Sequence, residues 1–314
     1  MGNARLDSSH PDVPALASPR TFDVVVTNPP FQNRARRGRT PHKVWIEFTE
    51  RELTRLVSPG GLLLQISPAS FQSPSNRVLR LLAENDTRLI DFDAGRHFPG
   101  VGSSFAYYAV RRGDARGPTQ IVRDGVEFEV DLAAGVRWLP NDLNPVSLVV
   151  HRRVMWGSGP RLDVRHDYVT GHNTRLGTTL SRTPTAAHRF AMLHTNTQTW
   201  WSSVEQEWAQ IPKVMWSRSG YTRPQVDLGT QGGTDMVYYV PCASADEARC
   251  LGHNLTRSIF RYIFATARWS GFGSEVVFAS LPDLPRDRQL SDEETFDRFG
   301  LSEEERAYVT RRVG

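Results

Sequence analysis

Cysteine and lysine are nearly missing from this sequence, and so is any long apolar run. The two cysteines among 314 residues, Cys242 and Cys250, are too few for a disulfide framework or a zinc site and read as buried thiols. No apolar stretch approaches the length that crosses a bilayer, so membrane insertion is not expected. The opening MGNARLDSSHPDVPALASPR has no apolar core behind basic residues, which argues against a signal peptide or an anchor. Its sixth residue, Leu6, is not the Ser or Thr of a myristoylation signal. A cytoplasmic protein is expected. The nine histidines show no metal-ligand spacing: there is no His-Glu-x-x-His, and His166 and His172 stand apart from any Cys or carboxylate cluster. No metal is expected. Ser103 and Ser104 lack the Gly-x-Ser-x-Gly surroundings of a nucleophile elbow, which disfavours serine hydrolysis. Lys43 and Lys213 are the only lysines, so arginine carries nearly all of the positive charge; the net +4 is a mild pointer to a polyanionic partner.

What is present begins with the stretch FDVVVTNPPF, Phe22 to Phe31. Val24 to Val26 read as a buried strand, and Pro29 and Pro30 cannot donate to a ladder, so the strand must stop at Asn28. A helix is expected through VWIEFTERELTRLV, ended by Ser58-Pro59-Gly60-Gly61, with a second buried strand from Leu62 to Ser67 stopped by Pro68. Ser75-Asn76 caps a helix through RVLRLLAEN. Strands follow at TRLIDFD and SFAYYAVRRG, and IVRDGVEFEV reads as a hairpin turning at Asp124-Gly125. Alternating strand and helix predict an α/β domain over residues 1–152. From residue 153 to 314 the texture turns polar, Gly-rich and irregular, which predicts a second, mixed α+β domain. There a helix is expected from about Ser244 to Ala267. Two short helices, N-capped by Ser291 and Ser302, close the chain. Trp200, Trp201, Trp208 and Trp216 read as core.

The tip Asn28-Pro29-Pro30-Phe31 sits at a strand's carboxyl end, where open α/β sheets bind ligands. The Asn28 side-chain carbonyl and the Pro29 carbonyl can converge as acceptors on one exocyclic amine. Phe31 can stack on the attached ring, a contact of roughly 1–3 kcal/mol per base. Pulling on the amine hydrogens raises its nucleophilicity towards a methyl donor. The tetrad resembles the catalytic motif of amino-directed DNA methyltransferases, in its adenine-N6 form. GGLLLQISPASF and RHFPGVGSSFAYYAV are similar to the strands that follow the motif in adenine methylases of restriction-modification type. RSIFRYIFATARWSGFGSEVVFASLPDLP and LSDEETFDRFGLSEEERAYV resemble the distal part of their target-recognition domain. The resemblance spans about Phe22 to Val309. It implies a Rossmann-like methyltransferase sheet followed by a target-recognition domain, double-stranded DNA as substrate, S-adenosylmethionine as cofactor, and a flipped adenine held by Asn28, Pro29, Pro30 and Phe31.

The chain departs from that family at one point. Members carry a Gly-rich loop after an earlier strand, which binds S-adenosylmethionine, and only about 20 residues precede the catalytic strand here. The glycine stretches DLGTQGGTD and WSGFGS, which a permuted member would use, do not lie between a buried strand and a helix. Three accounts fit: a second protein subunit supplies the cofactor half, the chain is a fragment, or catalysis is lost and DNA binding kept. The first is preferred; a non-catalytic DNA-recognition subunit of a restriction-modification, defence or phage DNA-modification complex is the alternative. Arg34, Arg36, Arg37, Arg39 and Lys43, just past the motif, are expected to grip phosphate. Arg218, Tyr221, Arg223, Arg257, Arg268 and Trp269 are the candidate DNA contacts of the second domain.

Overall fold

A computed structural model of the chain describes residues 21–31, 44–97 and 104–314. The first part alternates as the sequence predicts: β1 (Phe22–Thr27), α1 (Val44–Arg51), β2 (Val57–Pro68), α2 (Arg77–Glu84), β3 (Asp86–Asp91), β4 (Phe105–Arg111), β5 (Thr119–Arg123), β6 (Val126–Val130) and α3 (Pro145–Met155). Helix α1 runs on through a π turn, Glu52–Leu56, before β2. The six strands form one mixed sheet in the order β1-β2-β4-β3-β5-β6, with β1 parallel to β2. The chain is α/β, as expected. Local chemistry accounts for several boundaries. Asn76 accepts from the Val78 amide at 3.0 Å and starts α2. Asp124 and Gly125 take φ of 52° and 74° at the hairpin turn, the left-handed pair that Asp-Gly favours. Gly61 allows β1 and β2 to approach: a Cβ there would lie 2.9 Å from the Asp23 carbonyl oxygen.

One expectation is overturned at β1. Val24 to Val26 are not a buried strand. β1 is an edge strand, with Val24 56% and Val26 71% exposed. Only Val25 and Thr27 turn towards the covered side, where Val25 pairs with the wholly buried Leu63. Ser58-Pro59-Gly60-Gly61 also falls inside β2 rather than after α1.

Beyond α3 lie two four-stranded sheets. β7 (Arg165–His166), β8 (Leu180–Ser181), β9 (Phe190–Thr195), β10 (Gln198–Ser202), β11 (Pro212–Ser217), β12 (Gln225–Leu228), β13 (Gly232–Gly233) and β14 (Val237–Pro241) are ordered β13-β9-β10-β8 and β12-β11-β14-β7. Helices α4 (Ala245–Asn254), α5 (Ser258–Thr266), α6 (Glu275–Phe278), α7 (Asp292–Arg298) and α8 (Glu303–Val313) follow. The single helix expected from Ser244 to Ala267 is two. Buried Asn254 turns its side chain away, donating to the carbonyls of Pro285 and Arg288 and accepting from the Leu290 amide. Asp292 then caps α5 through the Ser258 amide and hydroxyl. Both terminal helices carry the expected serine caps, each closed into a capping box, Ser291 with Glu294 and Ser302 with Glu305. Trp200 and Trp216 are buried, as expected, whereas Trp201 and Trp208 are only half-buried. Cys242 is buried, but Cys250 is only half-buried on α4, because its neighbours there are polar.

Two large apolar clusters meet at α3. Leu148 belongs to the cluster under the six-stranded sheet, together with Leu139 and Leu143. Val150, Val154 and Met155 belong to the cluster built by β11, β14, α4 and α5. The proposed division between residues 152 and 153 runs through this helix.

Candidate functional site

β1 and β2 are parallel, so their carboxyl ends lie on one edge of the sheet, and antiparallel β4 starts at the same edge. There Asn28 and Pro30 are exposed, Pro29 between them is buried, and Phe31 is half-buried. The buried proline pins the tip while the amide on one side of it stays in solvent. The Phe31 ring rests on Phe105, the first residue of β4, with centroids 5.3 Å apart and the planes tilted by 36°.

Beneath the tip lie two separate sets of polar contacts. The Thr27 hydroxyl donates to Glu52 Oε2 at 3.2 Å. Burial raises the Glu52 carboxyl above its ordinary value, and the Thr27 hydrogen bond only partly offsets this. On the same covered side, Gln65 Nε2 donates to Thr49 Oγ1 at 2.9 Å, and the Thr49 hydroxyl donates to the Trp45 carbonyl at 2.9 Å. Thr49 has one hydroxyl proton, so the Tyr108 hydroxyl, 3.1 Å away, must donate to it. Burial raises the Tyr108 phenol further, which keeps it protonated as this donor. Thr27 and Gln65 are paired residues of β1 and β2, so each set of contacts holds one of the two neighbouring strand ends beside Asn28.

The same edge opens into a hollow of about 440 Å³ between the sheet and the second part of the chain. Ile46, Ser70, Ser73 and Asn76 line one wall; Arg218, Trp269 and Glu275 line the other. Its volume lies in the range that admits small molecules, about 300–1,000 Å³. Asn76 Nδ2 and Arg218 Nε, both buried, have no hydrogen-bond partner there.

The predicted DNA contacts separate in space. Arg218 and Trp269 line the hollow beside the sheet. Trp269 is also structural, since its Nε1 donates to the Leu139 carbonyl at 2.9 Å. Arg268 lies over the Tyr221 ring at 4.8 Å, and Tyr221 and Arg223 line another hollow of about 460 Å³ beside α5 and the end of α8. Arg257 lines neither hollow; it precedes α5, with Nε directed at the His253 carbonyl. Arg34, Arg36, Arg37, Arg39 and Lys43 lie outside the described residues. Sequence reasoning missed the SPASFQSPSN wall and the Thr27–Glu52 bond. The first had a signal, a serine-rich segment at the carboxyl end of a strand parallel to β1. The second had none, because only the fold brings residues 25 apart together.

Four of the five glycines in the two stretches are packed against neighbours, and Gly271 alone of them stands in open space. Gly229, at φ +93°, packs against the Gln210 carbonyl, Gly232 and Gly233 form β13 against Gln206 and Val237, and Gly273 lies under the Phe278 ring. In each case a Cβ would collide with a neighbour, so these glycines serve close packing. DLGTQGGTD runs between β12 and β13 and WSGFGS between α5 and α6, so neither is the strand-to-helix loop that would hold S-adenosylmethionine.

No protein-family model and no curated protein matches the sequence. Solved structures do resemble the fold. The Type IIL restriction-modification enzyme MmeI in complex with DNA aligns over 82% of this chain and 46% of its own, at 10% identity and a TM-score of 0.45. The DrdV–DNA complex aligns over 92% and 44%, at 10% identity and a TM-score of 0.44. A chain of a type I restriction-modification assembly aligns over 45% and 30%, at 16% identity and a TM-score of 0.27. This chain thus spans less than half the length of each. Among the described residues no helix is long and apolar enough to cross a membrane.

Proposed function

We propose that this chain is the catalytic-motif and target-recognition part of a site-specific DNA adenine-N6 methyltransferase. It would act on a flipped adenine with S-adenosylmethionine as donor, and a second polypeptide would supply the cofactor half. One observation carries this reading: Asn28 stands exposed at the carboxyl edge of the sheet, fixed by buried Pro29 and flanked by a ring seated on Phe105. Asn28 Oδ1 and the Pro29 carbonyl accept from the two N6 hydrogens, and Phe31 stacks on the base. Accepting both hydrogens directs the nitrogen lone pair away from the protein, towards the donor. The hollow beyond this edge, with Arg218, Ser70, Ser73 and Ser75 among its lining residues, suits the phosphates that flank an extruded nucleotide.

The test is tritiated-methyl transfer to duplex DNA, with the full chain alone and with each polypeptide encoded beside it. Transfer is expected only with a partner. Asn28→Ala should lower it about a hundred-fold or more. The melting temperature should not move, because Asn28 is exposed. Transfer that survives the substitution would remove the catalytic assignment. DNA binding without transfer in every pairing would favour a non-catalytic recognition subunit of a restriction-modification, defence or phage DNA-modification complex.

A further inference from the structure

Helix α1 and its π turn carry a carboxyl where the spacing calls for an apolar side chain. Trp45, Thr49, Glu52 and Leu53 are the buried positions, the recurrence that marks one covered helical face. Glu52 is only 3% exposed there. Burying a carboxyl costs stability that a leucine at the same place would not. The π turn begins at Glu52 itself, a rare geometry that recurs at functional sites, and it lies against β1 and β2.

The hydrogen-bond partner of Glu52 gives that cost a use. β1 is an edge strand supported by β2 on one side; Thr27 is its last residue and Asn28 the next. A side-chain bond ties β1 at each end. Near its start the Ser58 hydroxyl donates to Asp23 Oδ1 at 3.1 Å, in solvent, where water competes for both groups. At its end the Thr27 hydroxyl donates to Glu52 Oε2 at 3.2 Å, and Glu52 is shielded from water. The shielded tie is at the end that carries the candidate amide.

We propose that Glu52 is a positioning residue: through the Thr27 hydroxyl it fixes the end of β1, and with it the direction in which Asn28 presents its side-chain carbonyl to the amine. This rests on the methyl-transfer reading of Asn28 given above. Pro29 is buried and stiff, so Asn28 is held between two anchors, one before it and one after. Without the Thr27–Glu52 bond only the second remains, and a displacement of about 1 Å in a positioned group can cost a hundred-fold in rate. Glu52 acts through Thr27 from below the surface, so its loss is read in kcat and not in binding.

The test measures methyl transfer by the full chain with the polypeptide that supports it, and hydrogen exchange in the full chain alone. Glu52→Leu and Thr27→Val should each lower kcat about ten- to a hundred-fold, with the KM for S-adenosylmethionine and the affinity for DNA unchanged. The double variant should lose no more than either single one, because both remove the same bond. Glu52→Gln and Thr27→Ser, which keep an acceptor and a donor, should restore most of the rate. Glu52→Leu should hold or raise the melting temperature, whereas Ile121→Ala, far across the sheet, should lower it and leave kcat unchanged. In the free chain both bond-breaking variants should speed exchange in the peptide spanning residues 24–31, and Ile121→Ala should not. A loss carried by KM, losses that add in the double variant, or exchange that does not change overturns the inference. If kcat survives Glu52→Leu and Thr27→Val but not Asn28→Ala, the positioning role is wrong and the function stands. If Asn28→Ala transfers normally, or no pairing transfers methyl, the function falls and the exchange rates alone decide whether Glu52 holds the strand end.

Discussion

The two parts of the chain solve the problem of burial differently. In the second part, β11 and β14 meet α4, α5 and α6 around a cluster that includes Trp216, Tyr238, Phe260 and Phe278, and even its charged interior is paired. Lys213, wholly buried, donates to Asp227 at 2.5 Å and to the carbonyls of Ala209 and Ile211. In the first part the sheet buries one face and leaves an apolar strip and an edge in solvent, next to the strand end that presents Asn28. A closed core keeps the surface above it in shape on its own; an open sheet leaves one face and one edge without that support. The candidate chemistry lies on the open one.

Five substitutions would break or sharpen this contrast. Lys213→Met leaves Asp227 buried without its cation. Burial works against the carboxylate, but the hydrogen bonds from Lys213 and Thr230 outweigh it and hold the group below its usual range. Chemical denaturation should show a loss of about 3–5 kcal/mol. On the covered face of the sheet, Leu63→Ala should cost about 2–5 kcal/mol. Val26→Thr, one residue along the neighbouring strand but on the open face, should stay within about 0.5 kcal/mol; equal losses would show that the open face is covered in the free chain.

His151 supplies the pH dependence. Its ring is fully buried, accepts at Nδ1 from Trp138 Nε1 and lies 2.8 Å from Thr266 Oγ1 through Nε2. Burial alone pushes its pKa down to about 3. The folded state thus resists protonation while the unfolded chain takes up a proton below its ordinary value of about 6.5. Stability from this group is complete above that pH and falls by about 1.4 kcal/mol per unit as pH drops towards 3. His151→Gln should flatten that slope in urea titrations at pH 4 to 7. The smallest effect belongs to a helix end: Ser302→Ala removes an acceptor 3.3 Å from the Glu305 amide and should cost about 1 kcal/mol.

Features written in neighbouring residues were legible in the sequence. Asp124-Gly125, the Asn76 cap and the two serine capping boxes are interactions within two to four residues, and each stands where it was expected. Features decided by distant residues were not. A run of three valines looks the same whether a strand has neighbours on both sides or on one, so the exposure of β1 had no local sign. The break between α4 and α5 depends on Pro285, Arg288 and Asp292, more than 30 residues downstream. At the candidate site the tetrad could be read from its own chemistry. The hollow beside it, drawn from residues 46, 70–76, 218 and 269–276, exists only after folding.

Helix α3 bears on how the molecule can be taken apart. Its residues are split between two apolar interiors, and Asp142 just before it accepts from the hydroxyls of both Tyr262 and Tyr308. A cut after Arg152, where composition changes, would sever this helix and expose an oily surface on each product. Either half expressed separately should clump, so dissection by substitution in the whole chain is the workable route.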